Sequence, residues 1–421
     1  MTKNTSRRRR SAKTSPAASR RVQIGTTSGL IIVGIVLFAQ FVLGIDVLHL
    51  DELTLTPAPT VSTPAATAPA PTTPTQRPTI VAAAPGAALV PIPGGYDGGW
   101  FQLYFTEPIN TQDESRFTGS PVENALVAAL DGARVSIDAA VFEMNSQPVT
   151  DALIRAHERG VRVRMVTDGE YGLERPDGTF DQIELVGIEV RSDQARRALM
   201  HNKFFVIDGL YVWTGSTNIT HNGMYNNNNN SMLIRSSRLA ANYTAEFEEM
   251  FAGSFGVTSP ATVPNPVVTI EGTPIETIFE AEGDVPARLV ELLANARSVR
   301  FMAFSLTRSD LIQLMVTRAQ AGELDVMGVI ETSQRRFLSD LICAGLSIQQ
   351  DGNPNILHHK VFIIDESIVV MGSFNFSGSA ADSNDENTLI IHNTAIARAY
   401  LEEFARRWNE SRPIPASELG C

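Results

Sequence analysis

Two histidines, two lysines and two asparagines recur in this sequence at one spacing. His201, Lys203, Asp208, Gly215, Ser216 and Asn218 return as His358, Lys360, Asp365, Gly372, Ser373 and Asn375, so both segments read H-x-K-x4-D-x6-G-S-x-N. Lysine and asparagine are donors suited to phosphate oxygens. A histidine can act as a nucleophile, or as a general acid or base near neutral pH. A phosphodiester displaced in two steps needs two histidines: one to attack phosphorus and one to protonate the leaving oxygen. A single H-x-K would be read as an ordinary hairpin histidine. The whole pattern occurring twice points to two histidines facing one phosphate.

Lysine usage supports this. The chain has four lysines, and after Lys13 the only two are Lys203 and Lys360, while arginine fills the other cationic positions. Lysine offers a compact, strongly hydrated point charge where arginine offers a planar fork.

The residues between are strand formers: FFVI then LYVW, and VFII then SIVV. A hairpin with a two-residue loop at 209–210 or 366–367 pairs Asp208 with Tyr211. It sets His201 opposite Asn218 and Lys203 opposite Ser216, with His358, Asn375, Lys360 and Ser373 arranged alike. Residues two apart and cross-strand partners share a face, which gathers His, Lys, Ser and Asn within about 7 Å along the strand. The x residues, Asn202 and His359, point the other way. The glycine before each serine leaves room for a close approach to the backbone.

The flanking sequence repeats too. ENALVAALDGARVSIDAAVFEM and DALIRAHERGVRVRMVTD correspond to ARLVELLANARSVRFMAFSL and LIQLMVTRAQAGELDVMGVIE. Each half ends in an amphipathic helix, ANYTAEFEEMFAG or IARAYLEEFARRWNES. Strands alternating with helices predict an α/β architecture of two pseudo-twofold-related α-β-α halves, 94–255 and 256–421, packed as one bilobed unit. Asp168 and Glu331 end equivalent strands, where a site-rim role and a turn role are both open. His157 lies on a solvated helix face.

Both segments resemble the HKD motif of the phospholipase D superfamily, over essentially residues 95–415. The resemblance implies a phosphodiesterase that needs no metal or other cofactor and passes through a phosphohistidine. On this chain it makes His201 and His358 the nucleophile and acid, with Lys203, Lys360, Asn218 and Asn375 holding the phosphate. Ser216 and Ser373 line the site, and Asp208 and Asp365 are structural. Fourteen residues after each serine stands an asparagine, Asn230 or Asn387, preceded by Asn229 in the first half and Glu386 in the second. In the family an acid here orients a motif histidine. Glu386 is therefore expected to orient His201 across the interface, which makes His201 the nucleophile and His358 the acid. His221, Asn229, Asn230 and Asn387 are candidate substrate contacts.

The formal net charge is -12. Residues 1–93 hold 9 of the 34 basic and 3 of the 46 acidic side chains, leaving 25 and 43 beyond them, a balance of -18. That is a poor footprint for a nucleic-acid binder, whose non-specific affinity comes largely from neutralising phosphates. Residues 1–21 are basic. Residues 22–45 carry no charge and as a helix would extend roughly 36 Å, enough to cross a bilayer. The positive side stays inside, so a single-pass anchor with a cytoplasmic N-terminus and an extracytoplasmic catalytic region is predicted. Residues 46–93, rich in Pro, Ala and Thr, read as an extended linker. Cys343 reads as a buried small hydrophobe, with no disulfide to Cys421 expected.

Substrate is less determined than chemistry, because one fold and motif serve many substrates. Removal or exchange of a phospholipid head group is the leading reading. An extracytoplasmic endonuclease acting on nucleic acid, a cardiolipin-synthase-like transferase and an inactive phosphate-binding module are the alternatives. One chain carries both motifs, so a monomer is expected to suffice.

Overall fold

The computed structural model describes residues 89–421 apart from 112, 195, 261, 281 and 282. The predicted membrane span at 22–45 and most of the predicted linker lie outside these residues. No helix among the described residues is long and apolar enough to cross a membrane.

Each half builds one nine-stranded sheet. The first contains β1 (Val90–Ile92), β2 (Gly95–Asp97), β3 (Phe101–Phe105), β4 (Ser136–Val141), β5 (Arg162–Thr167), β6 (Glu189–Ser192), β7 (Lys203–Ile207), β8 (Tyr211–Gly215) and β9 (Asn230–Arg235). The second contains β10 (Val267–Ile270), β11 (Thr273–Phe279), β12 (Ser298–Ala303), β13 (Asp325–Ile330), β14 (Ser347–Gln350), β15 (Lys360–Ile364), β16 (Ile368–Gly372), β17 (Asn387–His392) and β18 (Arg412–Pro413). The strand orders are β1-β2-β3-β9-β8-β7-β4-β5-β6 and β10-β11-β17-β16-β15-β12-β13-β14-β18. β1 lies inside the stretch read as linker. The motif hairpins β7–β8 and β15–β16 sit mid-sheet, each antiparallel to the strand that opens the parallel part of its sheet.

Side-chain alternation along these central strands feeds two cores. Phe205, Ile207 and Trp213 enter an outer core with the helices Pro121–Gly132 and Gln147–Glu158, while Phe204, Val206 and Val212 enter a central one. Phe362 and Ile364 against Val361 and Ile363 divide the same way. The central core also takes Leu239, Tyr243 and Phe247 from the helix Ser237–Phe251, and Ile396, Tyr400 and Phe404 from the helix Thr394–Glu410. Both faces of each sheet are covered, which is why the motif strands are almost wholly apolar apart from the lysines.

Two expectations fail here. The hairpins carry three-residue loops, not two: Ile207 pairs with Tyr211, and Ile364 with Ile368. The cause is the motif aspartate. Asp208 accepts the backbone N–H groups of Arg134, Val135 and Ser136 at 2.7–3.1 Å, and Asp365 those of Arg297 and Ser298 at 2.7 and 2.9 Å. Reaching them puts Asp208 and Asp365 at φ +55° and +49°, outside the strand. Continuing that register puts Gly215, not Ser216, across from Lys203. Second, Cys343 is exposed, and it is bonded to Cys421 with a Cα–Cα separation of 5.7 Å, within the span a disulfide bridges.

Candidate active site

Beyond Gly215 and Gly372 the chain leaves the sheet. A Cβ on Gly215 would lie 2.2 Å from the Asn230 carbonyl oxygen, and one on Gly372 2.1 Å from that of Asn387. The close approach at these glycines is thus to the protein's own backbone. Ser216 N then donates to Asn230 O at 2.9 Å, and Ser373 N to Asn387 O at 3.0 Å. This ties each serine to the neighbouring strand of its own half, Ser216 to β9 and Ser373 to β17.

The result is crossed support. His201 Nδ1 lies 2.8 Å from Glu386 Oε2, and Ser373 Oγ donates to that same oxygen at 2.6 Å. His358 Nδ1 lies 2.9 Å from Asn229 Oδ1 and 3.0 Å from the Ser216 carbonyl oxygen, and Ser216 Oγ donates to Asn229 Oδ1 at 2.8 Å. Each histidine is held by the opposite half. Each serine serves the partner histidine, not the one beside it in sequence. Because carboxylate, carbonyl and amide oxygens accept, both rings carry hydrogen on Nδ1 and turn Nε2 outward.

The backbone beneath is equally crossed. His201 N donates to Asp385 O at 3.0 Å and His358 N to Asn228 O at 2.9 Å. Asp168 accepts from Met200 N at 3.2 Å as well as from Glu170 N and Tyr171 N. Glu331 accepts from Leu357 N at 2.9 Å and Ser333 N at 3.1 Å. These two carboxylates therefore close a turn and also clamp the residue before each motif histidine, which sequence alone left open. Burial, then Asp193, pushes the Asp168 carboxyl up to about 7, and burial raises that of Glu331.

Lys203 and Lys360 are 1 % exposed. Their Nζ atoms donate to His201 O at 2.7 Å and His358 O at 3.0 Å, over the rings of Phe142 and Phe304. Burial pulls Lys203 down to about 8 against the attraction of Glu386, Glu143 and Asp168; burial and then Lys203 pull Lys360 well below its ordinary value. Burial, then Lys203 and Lys360, depresses His201, while burial, then Lys360, Lys203 and His201, depresses His358. The two lysines thus disfavour protonation of both histidines across the interface, on top of the effect of burial. Glu386, fully buried, is pushed up to about 7 by burial against Lys203 and Ser373.

Asn218 and Asn375 are 8 % exposed, and the Oδ1 of each is buried without a hydrogen-bond partner. Asn218 Nδ2 donates to Glu143 Oε1 at 2.5 Å. Three sequence candidates are not open to a ligand. Asn229 is committed to His358. Asn230 and Asn387, both fully buried, bridge the halves: Asn230 to His359 Nδ1 and Tyr400, and Asn387 to Asn202, Thr214 and Tyr243. Their amides saturate the inner face of the interface, where the x residues of H-x-K point. His359 Nε2 in turn meets Glu403 Oε1 at 3.1 Å. His221 packs its ring on Phe117, and its backbone N–H is held by Asn145. Among the described residues no group of three or more His, Cys, Asp or Glu is placed to hold a metal ion.

Sequence reasoning missed Glu143. Aligning the halves would have exposed it, because VFEMN stands where AFSLT stands in the second, with Ser305 in its place. It missed the crossing of the serines because pairing rules say nothing of the chain beyond a strand's last residue.

Two duplicated α/β halves thus each lend support to the other's motif histidine. The family described as "Cardiolipin synthase, PLD-like domain" matches residues 126–251 and 289–408, and the chain belongs to the phospholipase D superfamily. It is 35 % identical over 126 residues to the mitochondrial cardiolipin hydrolase of Xenopus laevis, covering 30 % of this chain and 59 % of that protein. It is 32 % identical over 131 residues to a phospholipase D of Rickettsia conorii, covering 29 % and 65 %. The chain thus spans roughly three fifths of the length of these curated relatives. The phosphatidylserine synthase of Haemophilus influenzae shares the fold, with a TM-score of 0.57 at 13 % identity over 71 % of this chain and 87 % of that one.

Proposed function

We propose that the chain is a phospholipase D-type phosphodiesterase acting on phospholipid head groups. His201, its Nδ1–H donated to Glu386, attacks phosphorus through the Nε2 lone pair. The carboxylate behind the ring stabilises the positive charge that grows as the P–N bond forms. Lys203, Lys360, Asn218 and Asn375 take the charge on the non-bridging oxygens. The phosphodiester in turn keeps both buried lysines protonated. His358 is backed by a neutral amide and a carbonyl, which makes its imidazolium the stronger acid. It delivers the Nε2 proton to the leaving alkoxide as the P–O bond breaks. It then takes a proton from the incoming water or alcohol, whose oxygen displaces His201 from phosphorus.

The observation that carries this reading is the unequal pair of Nδ1 partners, Glu386 for one histidine and Asn229 for the other. Lipid as substrate is supported by the cardiolipin hydrolase and phospholipase D relatives and by the acidic charge balance. Placement outside the cytoplasm, anchored by residues 22–45, is supported by the uncharged run and by the Cys343–Cys421 disulfide, a bond characteristic of oxidising compartments. A monomer holds both histidines.

The test is the purified full chain in detergent, with chelator, on phosphatidylcholine, cardiolipin and single-stranded DNA. Release of head group is the expected result. Cleaved DNA with untouched lipid would replace this reading by the endonuclease.

A further inference from the structure

Besides the unequal partners of the two histidines, the two lobes of the site are unlike at a further point. Glu143 stands two residues beyond β4, and Ser305 holds the same place beyond β12. Glu143 reaches Asn218 Nδ2 through Oε1 and pairs with Arg175 Nη1 through Oε2. Arg175 continues to Asp177, Nε to Oδ1 at 2.7 Å, and Asn145 Nδ2 also donates to Asp177, at 2.6 Å. Side-chain exposure rises along this file from 15 % at Glu143 to 25 % at Arg175 and 61 % at Asp177. A charged path thus leads from a phosphate-facing asparagine to solvent. Along the path two carboxylates face one guanidinium, and at its inner end Glu143 also attracts the Lys203 ammonium. In the second lobe Ser305 is buried and uncharged.

We propose that Glu143 is a specificity-determining residue that admits phosphodiesters bearing one negative charge and rejects those with a second anion beside the reacting group. The inference rests on the phosphodiesterase reading and narrows its substrate class to phospholipids whose other ester group is neutral or cationic. A second phosphate passing the first-half side of the mouth would meet a carboxylate whose one guanidinium partner is shared with Asp177. An unpaired like charge at close range in a partly dry site is costly. The balance of -18 beyond residue 93 opposes polyanions at longer range.

The test compares the full chain with Glu143→Gln, which keeps an acceptor for Asn218 but loses the charge, and with Glu143→Ser, which copies the second lobe. The readout is the ratio of kcat/KM for phosphatidylcholine to that for cardiolipin in matched micelles. A ratio above about tenfold in the wild type, falling about tenfold in both variants, is expected. A ratio that Glu143→Gln leaves unchanged would overturn the proposal. Calorimetric binding of inorganic phosphate and of pyrophosphate gives a readout without turnover. Glu143→Gln should strengthen pyrophosphate binding more than phosphate binding, and equal changes would also overturn the proposal. If the wild type cleaves no lipid, the activity reading falls, while the two anions still decide the role of Glu143.

Discussion

The two halves share the order of eight strands, a motif and a crossed interface, and they differ at the residues that touch the histidines. Where the second half supplies Glu386 to His201, the first supplies Asn229 to His358. Where the first places Glu143 beside Asn218, the second places Ser305. On the proposed mechanism duplication yields a near-symmetric cradle for a phosphate. Attack and protonation are different tasks there, and we propose that the exchange of carboxylate for amide behind the ring divides them.

The sharpest way to break this comparison is to remove each ring in turn. His201→Ala should lose hydrolysis of every ester, by about 10^5-fold or more. His358→Ala should lose about 10^2–10^4-fold on an alkyl ester, and much less on a p-nitrophenyl phosphodiester, whose leaving group needs no proton. Equal losses on both substrates would deny the acid role of His358.

Exchanging the supports tests the asymmetry itself. Glu386→Gln should lower kcat by about 10^2–10^4-fold, while Asn229→Ala should cost about tenfold, the worth of one hydrogen bond. Steady-state kinetics on phosphatidylcholine would order them, and the reverse order would exchange the two roles.

Two further differences bear on stability. The disulfide joins Cys343 to Cys421, and the first half contains no cysteine. Cys343→Ser should lower stability by about 2–4 kcal/mol, read by denaturant unfolding, with kcat retained. The smallest effect is expected at Glu280, which stands where the first half has Thr106; their backbone N–H groups bond equivalently to Glu386 O and Asn229 O. Burial pushes Glu280 up to about 8. A carboxyl raised in the folded state contributes stability in full below its unfolded value of about 4.3, and loses it as pH rises through about 8. Glu280→Gln should therefore flatten the fall of Tm between those limits. A slope identical to the wild type would show that Glu280 is not the group being titrated.

Much of this was legible in the sequence. The duplicated spacing gave both histidines, both lysines and the halves that carry them, because strand alternation and helix periodicity repeat over more than a hundred residues. The contact of Glu386 with His201 was implied by the phospholipase D resemblance, and Asn229 in the matching position marked it as one-sided. The hairpin register was not legible: Asp208 and Asp365 look like turn residues, but their carboxylates answer to backbone N–H groups more than sixty residues away. The crossed serines depend on where the chain runs after Gly215 and Gly372, which no local pattern encodes. The disulfide joins two positions whose surroundings have nothing in common in sequence. Glu143 is legible only when the halves are aligned, since it lies outside the motif.

The most direct measurement of the division of labour is to quench the full chain in alkaline denaturant, which spares the acid-labile P–N bond, during turnover of an alkyl p-nitrophenyl phosphodiester, and to map the phosphorylated residue by mass spectrometry. An alkylphosphoryl adduct on His201, accumulating in His358→Ala, where the leaving group needs no proton but no base activates the incoming water, and missing from His201→Ala, is the expected result. An adduct carried by His358 would contradict it.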